Sequence, residues 1–365
     1  MSGMVPDKAK VSPFLAFFIV HGMQFGVGVL GFQRIIAKYA GYDAWISVLI
    51  AGLAIHPIIW MIYKMAGIAG GDIVSIHEYI YGKFLGKLIS LLFIFYFTTF
   101  SIVTLRTFIQ IVQVWMFPGF STFWFGLAFL LLVIYVIHGG FRTITGIIFF
   151  GIFLTFYLLF VFLYTVPFSD YSDLLPIMDH SIKDLTLAAL HMSFTYMGWE
   201  LLLVYIPYIK NPQDSHKWAQ GGALFTTIQY VFITLISFGY YSEGQLQRTI
   251  WATLSMFKIV ELPFVERFEY IGIVSWTLNV LPIVCMGLWA ASRILKRTYN
   301  VKQKYSVYVL AVVILISMTL IQTREQDALL NTVMGRTGLF LNFGYLPLLF
   351  IAVLIARKVK GNGKT

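Results

Sequence analysis

Ten long apolar stretches leave this chain little choice of fold. They run roughly over residues 13–39, 44–64, 85–114, 121–138, 144–166, 187–207, 218–241, 265–295, 306–321 and 339–356. Each is near the twenty or so residues that a bilayer crossing requires. Lipid offers the backbone no hydrogen-bond partners, so a crossing segment satisfies its own polar groups, as a helix does. Hydrophobic residues make up 59% of the chain and charged residues only 12%. A soluble domain carries about twice that charge. The expected class is an all-α integral membrane protein.

The formal net charge is +10. It does not point to nucleic acid, because the basic residues are scattered through short loops with no basic helix or stripe. They follow the positive-inside rule instead. With the N-terminus inside, the inner segments carry Lys8, Lys10, Lys64, Lys83, Lys87, Arg142, Lys210, Lys217, Arg293, Lys296, Arg297, Lys302, Lys304 and the basic residues from Arg357 to Lys364. The outer loops carry only Lys183, Arg248, Lys258, Arg324 and Arg336. A multi-pass protein with both termini in the cytoplasm follows. The single cysteine, Cys285, lies in an apolar run. Neither an internal disulfide nor a cysteine-based metal site is expected. Residues 1–12 are short and polar, and the next segment is too long for a signal core, so no cleavable leader is expected.

The loop between the fifth and sixth stretches gathers Asp170, Asp173, Asp179 and Asp184 and falls at the midpoint of the chain. Five spans then follow five, and the second set starts from the opposite side. This is the inverted-topology repeat of many secondary transporters. The expected organisation is one transmembrane domain. Residues 1–12 form a cytoplasmic segment, 13–166 the first repeat, 187–356 the second, and 357–365 a basic tail. Residues 75–83 are amphipathic and can lie along the inner membrane surface. Residues 249–260 read either as a short helix capping an outer vestibule or as a plain surface helix.

Two of the stretches are interrupted at matching places. The first carries Gly26-Val27-Gly28-Val29-Leu30-Gly31 and the sixth carries Thr195-Tyr196-Met197-Gly198-Trp199-Glu200. Paired interrupted helices in the two halves are the best pointer from sequence to a transporter-type ligand site. An unwound glycine run brings N–H groups and a positive dipole end to a ligand carboxylate. Close helix packing is the competing explanation, since small residues at this spacing serve it too. Glu200 is a carboxylate in mid-bilayer, which is costly. It can exchange a proton, hold a ligand amine, or hold the broken helix by hydrogen bonds. His21 and Gln24 fall just before the first break, and Tyr196, Trp199 and Trp276 are candidate pocket walls.

Arg106 stands alone in the third stretch, so a partner is nearly obligatory. Glu266 or Glu269, flanking Arg267 at the start of the eighth, is the expected partner. Such a pair serves equally as an outer gate or as structural glue. Gln110, Gln113, Gln229, Ser275, Asn279 and Asn342 are the smaller polar groups inside spans. A lone intramembrane polar side chain more often bonds a neighbouring helix than a ligand, but Ser275 joins the candidate ligand set. No nucleotide loop, metal cluster, HExxH or nucleophile elbow is present. No cofactor and no enzymatic chemistry are expected.

At these residues the chain resembles the spore-germination permeases, the B subunits of germinant receptors. The run from Gly26 to Arg34, Gly198-Trp199-Glu200 followed by Pro207, and Val265-Glu266-Arg267-Phe268-Glu269 carry the likeness, with Arg106 where that family also has arginine. Gln33 stands where the family pattern has proline. The resemblance implies the amino acid–polyamine–organocation superfamily and a leucine-transporter-like fold with helices one and six broken. It further implies a nutrient sensor in the spore inner membrane, working beside an A-type membrane subunit and a C-type lipoprotein, with an amino acid such as L-alanine as germinant.

Two classes of function remain open at this point. In the first, an amino acid bound at Gln24, Gly26, Gly28, Gly31, Thr195, Tyr196, Gly198, Glu200 and Ser275 favours one state, which partner subunits read. In the second, the chain is a proton- or cation-coupled amino-acid transporter that completes an alternating-access cycle. Fold alone decides neither.

Overall fold

In the computed structural model, described for residues 5–261, 263 and 265–362, the described residues are mostly helical and form no strand longer than an isolated bridge, such as that between Val11 and Ile209. Seven helical stretches are long and apolar enough to cross a membrane, and the bent pair Ile182–Thr195 and Trp199–Tyr208 makes an eighth. The shorter apolar helices Leu15–Gln24 and Thr122–His138 complete the set.

The first span is Leu15–Gln24 on the terminal side and Phe32–Ala40 on the opposite side, joined by a 3-10 turn over Val27–Leu30. The second is Ala44–Ala69. The chain from Ile73 to Trp115 turns at Gly82, whose φ of 75° only glycine adopts cheaply. Residues 73–81 therefore form a separate helix before the third span, 83–115. Asp72 caps it by accepting from Ser75 N at 3.1 Å. Buried His77 ties it to the bundle through Ser90 Oγ at 2.8 Å and Tyr345 OH at 2.9 Å. The fourth span is Thr122–His138, and the fifth begins at Phe141–Thr155 and ends in a 3-10 stretch, Phe162–Phe168.

The second repeat starts with the broken sixth span. Ile182–Thr195 approaches from the side away from the termini, and Trp199–Leu201, Leu202–Tyr205 and Ile206–Tyr208 continue beyond the break. The seventh span is His216–Tyr240, the eighth Phe268–Tyr299 and the ninth Gln303–Leu320. Between the seventh and eighth lie the short helices Glu243–Arg248 and Ala252–Met256.

The tenth span differs from the expectation. Its expected start at residue 339 lies fifteen residues too late in round terms, because Arg324–Leu339 is already helix and runs through a π turn, Phe340–Tyr345, into Leu346–Asn362. Its polarity hid it from a hydropathy reading. Thr323 and Gln326 form a capping box that starts it.

The packing follows the repeat. The third and eighth spans make the most extensive helix pair, and the second packs on the seventh. The outer half of span one lies on the first half of span six. Small residues permit close approach, as expected between helices in lipid. A Cβ on Gly151 would lie 2.7 Å from Leu278 O, and one on Gly287 would lie 3.2 Å from Phe97 O.

Candidate ligand site at the two helix breaks

The two breaks meet each other. A Cβ on Gly28 would lie 3.1 Å from Thr195 Cγ2. Gly198 has φ 119° and sits against the Met23 carbonyl, so both its conformation and its contact demand glycine. Backbone groups freed by the breaks find side chains from the surrounding spans. Trp276 Nε1 donates to Gly26 O at 3.2 Å, Tyr230 OH to Gln24 O at 2.8 Å, and Thr253 Oγ1 to Val29 O at 2.7 Å. Gln33 is fully buried and donates to Ser237 Oγ at 3.1 Å and Thr253 Oγ1 at 2.7 Å, which anchors the outer half-helix.

Glu200 lies behind the break. One carboxylate oxygen accepts from Tyr96 OH at 2.5 Å and the other from Gly198 N at 2.8 Å. Of the three roles open to it, this geometry is that of holding the broken helix. A buried carboxylate here satisfies the amide that the break exposes.

A cavity of about 740 Å³ opens beside the breaks. Gln24, Gly26, Gly28 and Gly31 line it from span one, and Thr195 and Met197 from span six. Thr104, Thr107 and Gln110 face it from span three, and Ile250 and Trp251 from the segment before span eight. The remaining wall is span ten, with Arg324, Asp327, Asn331 and Arg336. Arg324, Asp327 and Asn331, spaced by three and four residues, share one helix face. The cavity's rim includes exposed Ile35, His191, Arg324 and Arg336, so it opens away from the termini. Gln24 is the distinctive polar residue in its wall. The residue is 1% exposed, and neither its amide nitrogen nor its oxygen has a hydrogen-bond partner among the described residues.

Several expected site residues lie elsewhere. Tyr196 is fully buried, donates to Val48 O at 3.2 Å and packs edge-on against Tyr230. Gly198 and Glu200 support the break without lining the cavity. Ser275 faces span five, where it bonds Tyr157 OH at 2.9 Å, because its helix face points away from span one. His21 is engaged by Thr226 Oγ1 at 2.9 Å. Trp199 is buried in the core.

The expected partner of Arg106 is also corrected. Glu269 pairs with its neighbour Arg267 at 3.0 Å, and Glu266 is exposed. Arg106 is buried and donates from Nε to Ile321 O at 3.0 Å; it forms no ion pair among the described residues, and buried Asp327 on span ten is the carboxylate whose charge bears on it. Asn331 Nδ2 adds a bond to Thr107 Oγ1 at 3.3 Å. Ile321 ends span nine, whereas Asp327 and Asn331 belong to the helical extension of span ten, which a loop reading of residues 322–338 does not place. The signal was present in the capping box and in the periodic polar face.

A bundle of two five-helix repeats, with a cavity at two broken helices, defines a membrane protein of the leucine-transporter-like fold. Solved structures agree. A Na+-coupled sialic acid symporter, in a substrate-bound outward-open state, aligns with TM-score 0.67 over 94% of this chain and 79% of its own, at 14% identity. MhsT in complex with L-phenylalanine gives 0.61 over 93% and 98%, at 14% identity. Mhp1, a nucleobase-cation-symport-1 family transporter, gives 0.63 over 96% and 79%, at 17% identity. At such identity the likeness is one of fold.

The chain belongs to the spore germination protein family, which matches it over residues 10–327. It is 40% identical over 347 residues to spore germination protein GerQB of Bacillus cereus, covering 95% of this chain and 96% of that one. It is 25% identical over 360 residues to spore germination protein A2 of Bacillus subtilis (strain 168), covering 96% and 97%.

Proposed function

We propose that the chain is the nutrient-sensing membrane subunit of a spore germinant receptor, and that its germinant is a small amino acid of the L-alanine type. The observation that carries this reading is Gln24, a buried amide without a partner that lines the cavity at the first break. A buried amide left unpaired costs about 1–3 kcal/mol, which an arriving polar ligand recovers. The 3-10 turn at Val27–Leu30 follows Gln24 in the chain, and N–H groups at the start of such a turn suit a carboxylate. Arg34, Arg324 and Arg336 against one acid, Asp327, make the mouth attractive to that carboxylate. The ligand amine is left to the polar groups near Thr195. A fold relative, MhsT, is solved in complex with an amino acid.

In this reading the germinant binds one state of the two broken helices better than the other, and that difference is the signal. An A-type membrane subunit and a C-type lipoprotein read it in the spore inner membrane. The terminal side is cytoplasmic, in keeping with its excess of Lys and Arg. Covalent chemistry has no part in the scheme.

Reconstitution distinguishes sensing from transport. Proteoliposomes of the purified chain should accumulate no labelled L-alanine above empty vesicles, while the same preparation is stabilised by the ligand. Sustained accumulation by the chain alone would replace the sensor with a transporter.

A further inference from the structure

A second cavity, of about 680 Å³, lies on the terminal side, well away from the helix breaks. Four separate elements build it. The end of span two contributes Lys64 and Gly67, the surface helix 73–81 contributes Tyr79, the turn before span seven contributes Gln213, and the end of span ten contributes Arg357 and Lys360.

Three cations and no acid line this space. None of the three forms an ion pair among the described residues, where the pairs are Lys10–Asp7, His180–Asp43, Arg267–Glu269 and Arg297–Asp72. The nearby Asp72 is thus engaged by Arg297, at 3.3 Å. Lys360 is held in place: its Nζ donates to Tyr79 O at 2.6 Å and sits 3.9 Å from the Tyr79 ring centre. Gly67 keeps the floor open, since a Cβ there would lie 3.1 Å from Gln213 Nε2. Three like charges around one hollow repel one another unless an anion joins them.

Depth identifies the anion's source. Lys64 and Arg357 lie at the ends of two crossing helices, where the apolar run gives way to the headgroup layer. Just toward the bilayer centre the same helices present lipid-facing apolar side chains. Leu53 is 58% exposed and Trp60 42%, with Lys64 Nζ 5.9 Å from the Trp60 ring centre. Ile351 and Ile355 are exposed on span ten. An anion seated among the cations has a ready surface for acyl chains beneath it. Soluble phosphate would leave that surface unused.

We infer that this hollow is a binding site for the phosphate headgroup of an anionic phospholipid, joining the surface helix to the inner ends of spans two and ten. A juxtamembrane basic residue contributes about 1 kcal/mol of attraction to an anionic lipid surface, roughly a five-fold change in binding.

The test is the thermal stability of the purified full chain in neutral detergent with added phosphatidylglycerol, phosphatidylcholine or sodium phosphate. Phosphatidylglycerol should raise the melting temperature, and the other two should not. Lys64→Gln and Arg357→Gln, both at exposed side chains, should each weaken the phosphatidylglycerol response about five-fold. The triple variant with Lys360→Gln should abolish it. Lys304→Gln, on the same side but outside the hollow, should leave it intact. An equal response in the triple variant would overturn the site. Stabilisation by sodium phosphate with the same residue dependence would overturn the lipid as its occupant.

Discussion

Gly28 packs face to face with Thr195, so near that a Cβ on the glycine would lie 3.1 Å from Thr195 Cγ2. This contact joins the two repeats at their breaks and forms one edge of the cavity. Gly28→Leu would push side-chain volume into that edge. The overpacking should cost about 1–3 kcal/mol, which a bundle of this size tolerates. We expect spores of a strain lacking other receptors to lose their amino-acid response while membranes retain the protein on immunoblot. Normal germination would remove the ligand from this location.

Gly198 is constrained twice, by φ 119° and by the Met23 carbonyl. Gly70 offers a control, because its φ is 72° but nothing lies within 4 Å of an added Cβ. Gly70→Ala should cost about 1–2 kcal/mol, the ordinary left-handed penalty. Gly198→Ala adds a collision with backbone and should lower the melting temperature distinctly further. Thermal unfolding of both variants in one detergent makes the comparison.

Glu200 satisfies two buried donors, Tyr96 OH and Gly198 N. Glu200→Ala strands both, at about 1–3 kcal/mol for each. Glu200→Gln keeps one acceptor oxygen and should cost less. The Glu200→Ala and Tyr96→Phe effects should be non-additive, since Tyr96→Phe removes one of the stranded donors. Full additivity in a thermal-unfolding cycle would contradict the shared bond.

Arg106 gives a sharper cycle. With Asp327→Ala, Arg106→Ala should show coupling of about 0.5–3 kcal/mol. With Glu269→Ala it should be additive within about 0.5 kcal/mol, because Glu269 is committed to Arg267. The reverse pattern would restore an ion pair between spans three and eight.

The crossings, the repeat and the paired breaks were legible because hydropathy, loop charge and glycine spacing each report a property that acts locally. Gln24, Gly26, Gly28, Gly31 and Thr195 reach the cavity for that reason: their position relative to a break fixes their place. Ser275 lies outside the cavity because its helix face depends on the rotation of span eight, which packing against span five decides. Tyr196 and Glu200 lie one face away from the cavity for a similar reason. Arg324–Leu339 escaped because hydropathy marks lipid-facing helix, and this helix turns a polar face to a water-accessible cavity. Asp327, the acid whose charge bears on Arg106, followed that segment out of sight.

Gln24 offers the most direct test of the whole account. L-Alanine is titrated into the purified chain and into Gln24→Ala while thermal unfolding is followed. The unliganded variant should be at least as stable as the parent, since it loses a buried amide without a partner. Ligand at a hundred times its dissociation constant should stabilise the parent by about 2.7 kcal/mol and leave the variant's melting temperature unmoved. Equal stabilisation of both proteins would contradict an amino-acid site at the helix breaks.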